Sequence, residues 1–578
     1  MPTARHCLGS NPWKSATSAS RTKWAWARST WTRSRSSRCR PAMTPESQRT
    51  PTSPKGPRME NLRRVVQVLC FAAFVYLFVM TIGRFDFNAK SNVLMSKAPI
   101  DTFFRIDPLL GITTMVATRS IIRVMLIYGL PIVLLTIVAG RFFCGWICPL
   151  GTALDATDTV FFRKRKRGTP GSEWNAEERR SRNRGARNIK FYILGAMLIA
   201  ALFGSQLAYL MDPITIITRA FTFAAFPIAT LLTGAGIKVP YLPDDVQYFF
   251  RFNFLAAAIF IGILAANAIS RRWWCRNLCP LGALLGLLSR FSIVRRIVKS
   301  DCIGCKRCIP DCKMGAILDD PTQYQAPECI YCYSCTPVCP SLSTRIVPSL
   351  ASEGYHAELD LNRRRVFQAA GLGVLVAALG RTNVAAKTTR ASKLKTSSQF
   401  LIRPPGALPE DEFVDRCLRC SECMKVCPTN GLQPALTEAG FEGIWTPVLV
   451  PRIGECTRQC NLCSQVCSSQ AIQPFEIKEK PHIYLGTAVI DRSQCIAWNS
   501  DKQCLVCDEC CSYRAVIWKT VEGVRRPFVE EHKCVGCGIC ENVCPIQPAA
   551  AIRVFAFGDT RTLSRKAQKA YFDQAPTE

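Results

Sequence analysis

The chain has 578 residues, 74 Lys and Arg against 42 Asp and Glu, a formal charge of +32, and 32 cysteines. That length allows three or more domains and exceeds a disulfide-stapled secreted scaffold, whose cysteines are also spaced differently. Only four histidines occur (His6, His356, His482, His532) and no Cys-x-x-Cys-His is present, which argues against c-type haem and against a multihaem relay. The basic residues cluster in the first sixty positions and beside apolar spans, so the charge follows membrane topology and does not point to nucleic acid.

Residues 1–58 are rich in Arg, Ser, Thr and Pro without apolar periodicity and read as a disordered or misassigned N-terminus, with Met59 the better start. Cys7 and Cys39 receive no role. Four apolar segments follow, Val65–Gly83, Val124–Gly140, Phe191–Leu210 and Phe252–Ile269, each about long enough to cross ~30 Å of hydrocarbon as a helix. Residues 163–187 carry ten Lys/Arg against three Glu, whereas 84–120 and 211–251 carry five and three basic residues. The positive-inside rule puts the basic loop and both ends of this four-span bundle in the cytoplasm, with 84–120 and 211–251 as outer loops. Residues 59–292 form the expected membrane domain.

The bundle reads as a duplication. Cys144-Gly-Trp-Ile-Cys148-Pro149 ends the second span and Cys275-Arg-Asn-Leu-Cys279-Pro280 ends the fourth, while Asp107-Pro108 and Asp212-Pro213 recur in the outer loops. Cys144 and Cys148 are four apart, as are Cys275 and Cys279, so each pair shares a helix face, and the prolines end or kink the helix. Small buried thiols packing at a helix end is the bland explanation. The repetition favours a working site: a thiol redox pair, a metal site or part of a quinol site. Asp before Pro is a good helix start, the carboxylate capping free amides. The sharper alternative for Asp107 and Asp212 is a carboxylate that takes a quinol proton at the outer face.

A soluble stretch at 293–360 precedes Arg363-Arg364-Arg365-Val366-Phe367 and an apolar segment, 361–385, that matches a twin-arginine signal or anchor, with Val384-Ala385-Ala386 as a possible cleavage site. A second cysteine-rich soluble region fills 386–578. Both soluble regions repeat the spacing C-x2-C-x2-C-x3-C, in which three cysteines wrap one cuboidal cluster and the fourth reaches across to its neighbour. On that rule Cys302, Cys305, Cys308 and Cys339 hold one cluster, and Cys329, Cys332, Cys335 and Cys312 the next. The C-terminal sets are Cys417, Cys420, Cys423 and Cys467; Cys456, Cys460, Cys463 and Cys427; Cys495, Cys504, Cys507 and Cys544; and Cys534, Cys537, Cys540 and Cys511. The choice of Cys511 leaves Cys510 spare, and the opposite choice is open. Zinc also binds paired cysteines, but its knuckles do not show this triple spacing with a following Cys-Pro over and over. The expectation is about six [4Fe–4S] clusters on α+β bacterial ferredoxin-like modules, beside an α-helical membrane bundle.

On these motifs residues 59–345 resemble the NapH/MauN family of membrane ferredoxin-type proteins. Residues from about 361 resemble the multi-cluster NapG/MauM ferredoxin-type family, including the unusual run from Cys495 to Cys511. The chain thus looks like a fusion of the two. The resemblance implies a quinol dehydrogenase in the bacterial inner membrane, drawing on the quinone pool and passing electrons to a periplasmic redox partner such as a nitrate reductase system. The positive-inside rule makes 293–360 cytoplasmic. Export through the twin-arginine-like segment makes the C-terminal domain periplasmic; a cytoplasmic helix or linker there would instead leave all six clusters on one side. The alternative is a maturation factor supplying electrons for metal or thiol reduction while another redox enzyme assembles, with Cys144, Cys148, Cys275 and Cys279 as working groups.

Overall fold

The computed structural model describes residues 56–81, 101–161, 187–234, 248–349, 361–381 and 400–562, apart from single positions, and the short strand pieces 84–86, 91–93 and 355–356. The expectations for Cys7 and Cys39, for most of the basic loop at 163–187 and for Val384-Ala385-Ala386 lie outside these residues.

The duplication is visible element by element. In the first repeat, α1 (Gly56–Met80) is followed by α2 (Pro108–Thr118), α3 (Arg123–Ala139), the short α4 (Phe142–Trp146) and α5 (Pro149–Phe161). In the second, α6 (Ile189–Leu202) precedes α7 (Pro213–Ala220), which continues through a π turn at Phe221–Ala225 into α8 (Phe226–Gly234). Then come α9 (Asn253–Ala265), the short α10 (Trp273–Asn277) and α11 (Pro280–Leu288). The Asp-Pro pairs start α2 and α7 as expected, with Asp107 and Asp212 as N-caps and proline in the first turn. Pro149 and Pro280 likewise open new helices. The preceding span has already ended: Gly140 at φ +67° closes α3, so Cys144 sits on a separate short helix.

Two helical stretches are long and apolar enough to cross a membrane by length and composition, Met59–Met80 and Pro213–Thr233. The second lies in a segment expected to be an outer loop. Thr215, Thr218, Arg219 and Thr222 dilute its apolar pattern, yet all four are buried against neighbouring helices. The other three expected spans give shorter helices. The one expected over Phe191–Leu210 stops at Leu202, because Gly204 at φ +83° turns the chain and the amides of Gly204 and Ser205 close back on Ala201 and Ala200.

The two cysteine-rich regions pack on opposite ends of this helical body, and α3 measures the separation. At its N-terminal end Ser120 accepts a hydrogen bond from Arg416 (3.1 Å). At its C-terminal end Val138 accepts one from the amide of Ile293 (3.1 Å). The seventeen-residue α3, about 25 Å long, spans most of the distance between these contacts. The region after Ile293 is built on the antiparallel pair β1 (Val294–Val298) and β2 (Thr344–Pro348). The C-terminal region uses three such pairs: β3 (Leu432–Pro434) with β4 (Pro447–Leu449), β5 (Thr487–Ile490) with β8 (Ile552–Phe555), and β6 (Val516–Val521) with β7 (Val524–Val529).

A helix over Arg363–Arg381, α12, runs beside α6. It starts beside Tyr192, whose hydroxyl accepts from the amide of Asn362 (3.1 Å). It passes so close to α6 that a Cβ on Gly373 would stand 2.5 Å from the carbonyl oxygen of Ala196.

Candidate functional site

The cysteine runs fold as tight loops with left-handed residues between the thiols, among them Gly304, Tyr331, Arg419, Gly536 and Gly538. Such turns point successive side chains inward around one centre. Cys312 lies near Cys329 and Cys335, and Cys339 near Cys308. Cys467 lies near Cys417, Cys420 and Cys423; Cys427 near Cys456, Cys460 and Cys463. Cys495 has Cys504 and Cys544 as neighbours, and Cys511 neighbours Cys534 and Cys537. Two sets enclose space: Cys417, Cys420, Cys423 and Cys467 line one cavity, and Cys495, Cys504, Cys507 and Cys544 another.

Several fourth-position thiols are pinned by the backbone a turn further on. Cys312 Sγ accepts from the amide of Ala316 (3.1 Å), Cys467 Sγ from Ile472 (3.3 Å) and Cys511 Sγ from Ala515 (3.3 Å). Cys510 makes a different contact, its thiol donating to its neighbour Cys507 O (3.5 Å). Two of these sets surround a volume, and grouped soft thiolate donors suit iron–sulfur clusters. The donor sets therefore fit iron–sulfur clusters.

Burial pushes the Cys335, Cys417, Cys460 and Cys537 thiols up to about 12, so iron has to displace their protons on binding. Cys339 goes the other way. Burial raises it, but hydrogen bonds from Ser343, Ser341 and the backbone outweigh that and bring it to about 7. Buried cations, which the sequence did not single out, lie beside the thiols. Arg296 reaches Cys308 Sγ (3.7 Å) and faces Cys335 and Cys312. Lys480 faces Cys456, Cys460 and Cys463. Such charges stabilise thiolate and cluster charge and tune reduction potential.

The four motif cysteines of the helical body come together. Cys148 has Cys144 and Cys275 as neighbours, and Cys279 has Cys275, Cys144 and Cys148. Arg141 faces Cys144 and Cys279 and Arg272 faces Cys275, both guanidiniums fully buried. Cys279 Sγ accepts from the amide of Gly282 (3.3 Å) at the start of α11. This thiol group lies directly under the loop that carries Cys329 and Cys332. Trp146 Nε1 donates to Tyr331 O (3.2 Å), and a Cβ on Gly145 would stand 2.3 Å from Ile330 O. The glycine of Cys-Gly-Trp-Ile-Cys is what lets that loop seat.

Ion pairs hold the seat. Glu328 accepts from Lys190 (2.6 Å) and Arg141 (3.2 Å). Burial raises the Glu328 carboxyl, and Lys190 with Arg141 hold it below the usual carboxylate range. Asp155 on α5 gathers Arg63, Arg272 and Lys313 from three parts of the chain. At the far end Arg419 lies 3.5 Å over the Tyr209 ring and donates to Gln206 O (3.0 Å), while Lys425 donates to Phe78 O (3.0 Å). Arg219 of α7 stacks 4.4 Å from the Trp445 ring and faces Cys420.

Comparison with known proteins agrees with this chemistry. Residues 124–170 and 252–300, which contain the two Cys-x3-Cys motifs, match a family model described as a 4Fe-4S binding domain, and residues 527–548 match a second of the same description. The chain is 30% identical over 214 residues to the methylamine utilization ferredoxin-type protein MauM of Methylophilus methylotrophus, covering 35% of this chain and 88% of that one. It is 33% identical over 196 residues to the ferredoxin-type protein NapG of Escherichia coli K12, covering 32% and 80%. It is 25% identical over 255 residues to the ferredoxin-type protein MauN of Methylorubrum extorquens, covering 44% and 74%. No solved structure matches. The chain is an iron–sulfur electron-transfer protein that belongs to the MauM/NapG ferredoxin-type family and carries a NapH/MauN-like part in the same polypeptide.

Proposed function

We propose that this protein is a membrane-bound quinol dehydrogenase whose six [4Fe–4S] clusters relay single electrons towards a periplasmic redox partner. The observation that carries the reading is the placing of cysteine-cluster regions at both ends of one helical body, with four further thiols seated between that body and the Cys329–Cys335 loop. The long apolar helix Met59–Met80, which covers most of the first expected span, and the similarity to MauN favour the bacterial inner membrane. The reading takes 59–292 as the membrane domain with four spans, 293–360 as cytoplasmic, 361–385 as a further crossing and 386–578 as periplasmic. The course of α12 along α6 supports that crossing.

The cluster ligands are the six sets of four derived from the crossing rule, which the neighbours of the fourth cysteines support. The choice between Cys511, beside Cys534 and Cys537, and Cys510, beside Cys540, is left open. When bound, the clusters supply one-electron storage, which splits the two-electron oxidation of quinol into single steps. The chain's own groups do the rest. Backbone amides hold the fourth thiols, Arg296 and Lys480 set local charge, and the Glu328 and Asp155 pairs fix the cytoplasmic module against the thiol site.

Quinol would deliver electrons near Cys144, Cys148, Cys275 and Cys279. The same convergence of four thiols also favours the maturation-factor reading, in which those cysteines reduce a metal or a disulfide of another enzyme. Stopped-flow reduction by a quinol analogue separates the two. On the dehydrogenase reading, Cys144→Ser with Cys148→Ser loses quinol-driven reduction while keeping its cluster iron. Unchanged quinol kinetics, with loss of a partner enzyme's metal centre, would shift the assignment to maturation.

A further inference from the structure

The four cysteine sets of the C-terminal region can be placed in order by the contacts between their loops. The first two sit on the helical body. Arg419 of the Cys417 loop donates to Gln206 O (3.0 Å), and beside Cys427 Lys425 donates to Phe78 O (3.0 Å) and Asn430 to Phe249 O (2.7 Å). These two sets adjoin, because Cys423 and Val426 pack with Cys460 and Leu462. The next set meets the Cys456 loop: the amide of Cys456 donates to Cys537 O (2.8 Å), and Arg452 Nη1 to Cys544 O (2.8 Å). Cys544 then crosses to Cys495, Cys504 and Cys507, with which it lines one cavity. The order is the Cys417, Cys456, Cys534 and Cys495 sets, so the last is the far end of the row.

That end carries a cationic and aromatic surface. Ile496 and Pro527 belong to the wall of the Cys495 cavity, and Trp498 Nε1 donates to Pro527 O (3.2 Å), so the indole backs onto that wall. In the β6–β7 hairpin Ile517 stands opposite Phe528 and Lys519 opposite Arg526, which puts these four side chains on one face. Trp498 packs edge-on to Phe528 with ring centres 5.3 Å apart. Arg492 lies 4.3 Å and Arg526 5.0 Å from the Trp498 ring centre, and Lys519 5.3 Å from that of Phe528.

The acids around this face leave it a positive surplus. Glu522 pairs with Arg526 (3.0 Å), Glu530 pairs with Lys533 (2.7 Å), and Asp491 accepts from Ser493 within its own turn (2.6 Å). Asp508 accepts from Trp518 (2.6 Å), whose partner across the hairpin is Pro527, on the opposite face. Arg492 and Lys519 are exposed. Aromatic rings and arginine anchor protein interfaces, and a positive rim selects and steers an acidic partner.

We infer that electrons leave the chain from the cluster held by Cys495, Cys504, Cys507 and Cys544, and that the redox partner docks on the Trp498–Phe528 face with an acidic surface around its acceptor centre. This rests on the relay reading above for the direction of flow. In each transfer the reduced cluster loses one electron and returns to its oxidised form, while the partner's oxidised centre gains that electron. No proton moves and no bond breaks.

The test uses the full chain in detergent, reduced with dithionite and freed of excess reductant, and two one-electron oxidants of opposite charge. These are the tris(oxalato)cobaltate(III) trianion and the hexaamminecobalt(III) trication, with reoxidation followed by stopped-flow absorbance. Arg492→Glu with Lys519→Glu reverses exposed charge and leaves every cysteine in place. The trianion should reoxidise this variant about 10-fold more slowly than native protein at low salt. High salt should close the gap, and the trication should react faster with the variant. In Cys504→Ser, which removes the last cluster, the charge reversal should no longer change the trianion rate. A second readout needs no electron transfer. The redox-inert, paramagnetic tris(oxalato)chromate(III) trianion should broaden the 19F resonance of Trp498 in protein labelled with 5-fluorotryptophan, assigned by Trp498→Phe, and the charge reversal should abolish the broadening. Equal trianion rates in native and charge-reversed protein, charge sensitivity that survives Cys504→Ser, or broadening unaffected by the reversal would overturn the inference. The charge-reversed protein decides alone if Cys504→Ser fails to fold. Because dithionite loads the clusters, a protein that quinol never reduces would sink the quinol reading and leave this test intact.

Discussion

Asp155→Asn tests how strongly buried charge fixes the module that follows Ile293 to the helical body. Asp155 Oδ1 accepts from Arg272 Nε (3.0 Å), and Oδ2 accepts from Arg272 Nη2 (2.9 Å) and from Arg63, with Lys313 Nζ at 3.1 Å. Arg63 and Arg272 are 0% and 1% exposed, so water cannot take over their charge when the carboxylate goes. Breaking a buried pair by removing one partner costs about 3–5 kcal/mol, and the asparagine should lose that much stability at pH 7.

Burial pushes the Asp155 carboxyl up, but Arg272, Lys313 and Arg63 more than reverse this and hold it well below the usual carboxylate range. A depressed carboxyl contributes stability above its unfolded value, about 3.9, and that contribution fades as pH falls through the folded value. The gap between native protein and variant should therefore be full at neutral pH and close in acid. Urea unfolding of both proteins in one detergent, followed across pH, measures it. A loss below about 1 kcal/mol, the worth of a solvent-screened surface pair, would refute the reasoning.

Two further substitutions address the cluster loops. Cys467→Ser should remove the same cluster signal as Cys417→Ser, and Cys427→Ser the same signal as Cys460→Ser, because the fourth thiol of each run lies among its neighbour's three; matched EPR spectra and iron counts of the four variants check this. Gly145→Ala puts a methyl group 2.3 Å from Ile330 O, so it should unseat the Cys329–Cys332 loop and alter the signal of that cluster while the C-terminal signals stay as they are; spectra identical to native would contradict the seating.

Much of this was legible in the chain because cluster ligation is local. A loop of Cys302, Cys305 and Cys308 announces itself at fixed spacing, and the repeated Cys-x3-Cys-Pro and Asp-Pro pairs gave the duplication. What the sequence hid is what depends on contacts between distant segments. In sequence Pro213–Thr233 falls in an expected outer loop, since its threonines and Arg219 lower the apolar pattern, and the packed body is what buries them. The helix starts at Asp107 and Asp212 are readable, but their full burial inside the body is not. Nor do isolated residues such as Arg141, Lys190 and Glu328 reveal in sequence that they form one buried cluster, about 140 to 190 positions apart in the cases of Lys190 and Arg141 with Glu328.

The most direct test of the account is low-temperature EPR on membranes containing the full chain, recorded before and after adding a reduced quinol analogue. The account predicts [4Fe–4S] signals that grow with quinol and are absent from membranes carrying Cys144→Ser with Cys148→Ser. Clusters that dithionite reduces but quinol never does would contradict it.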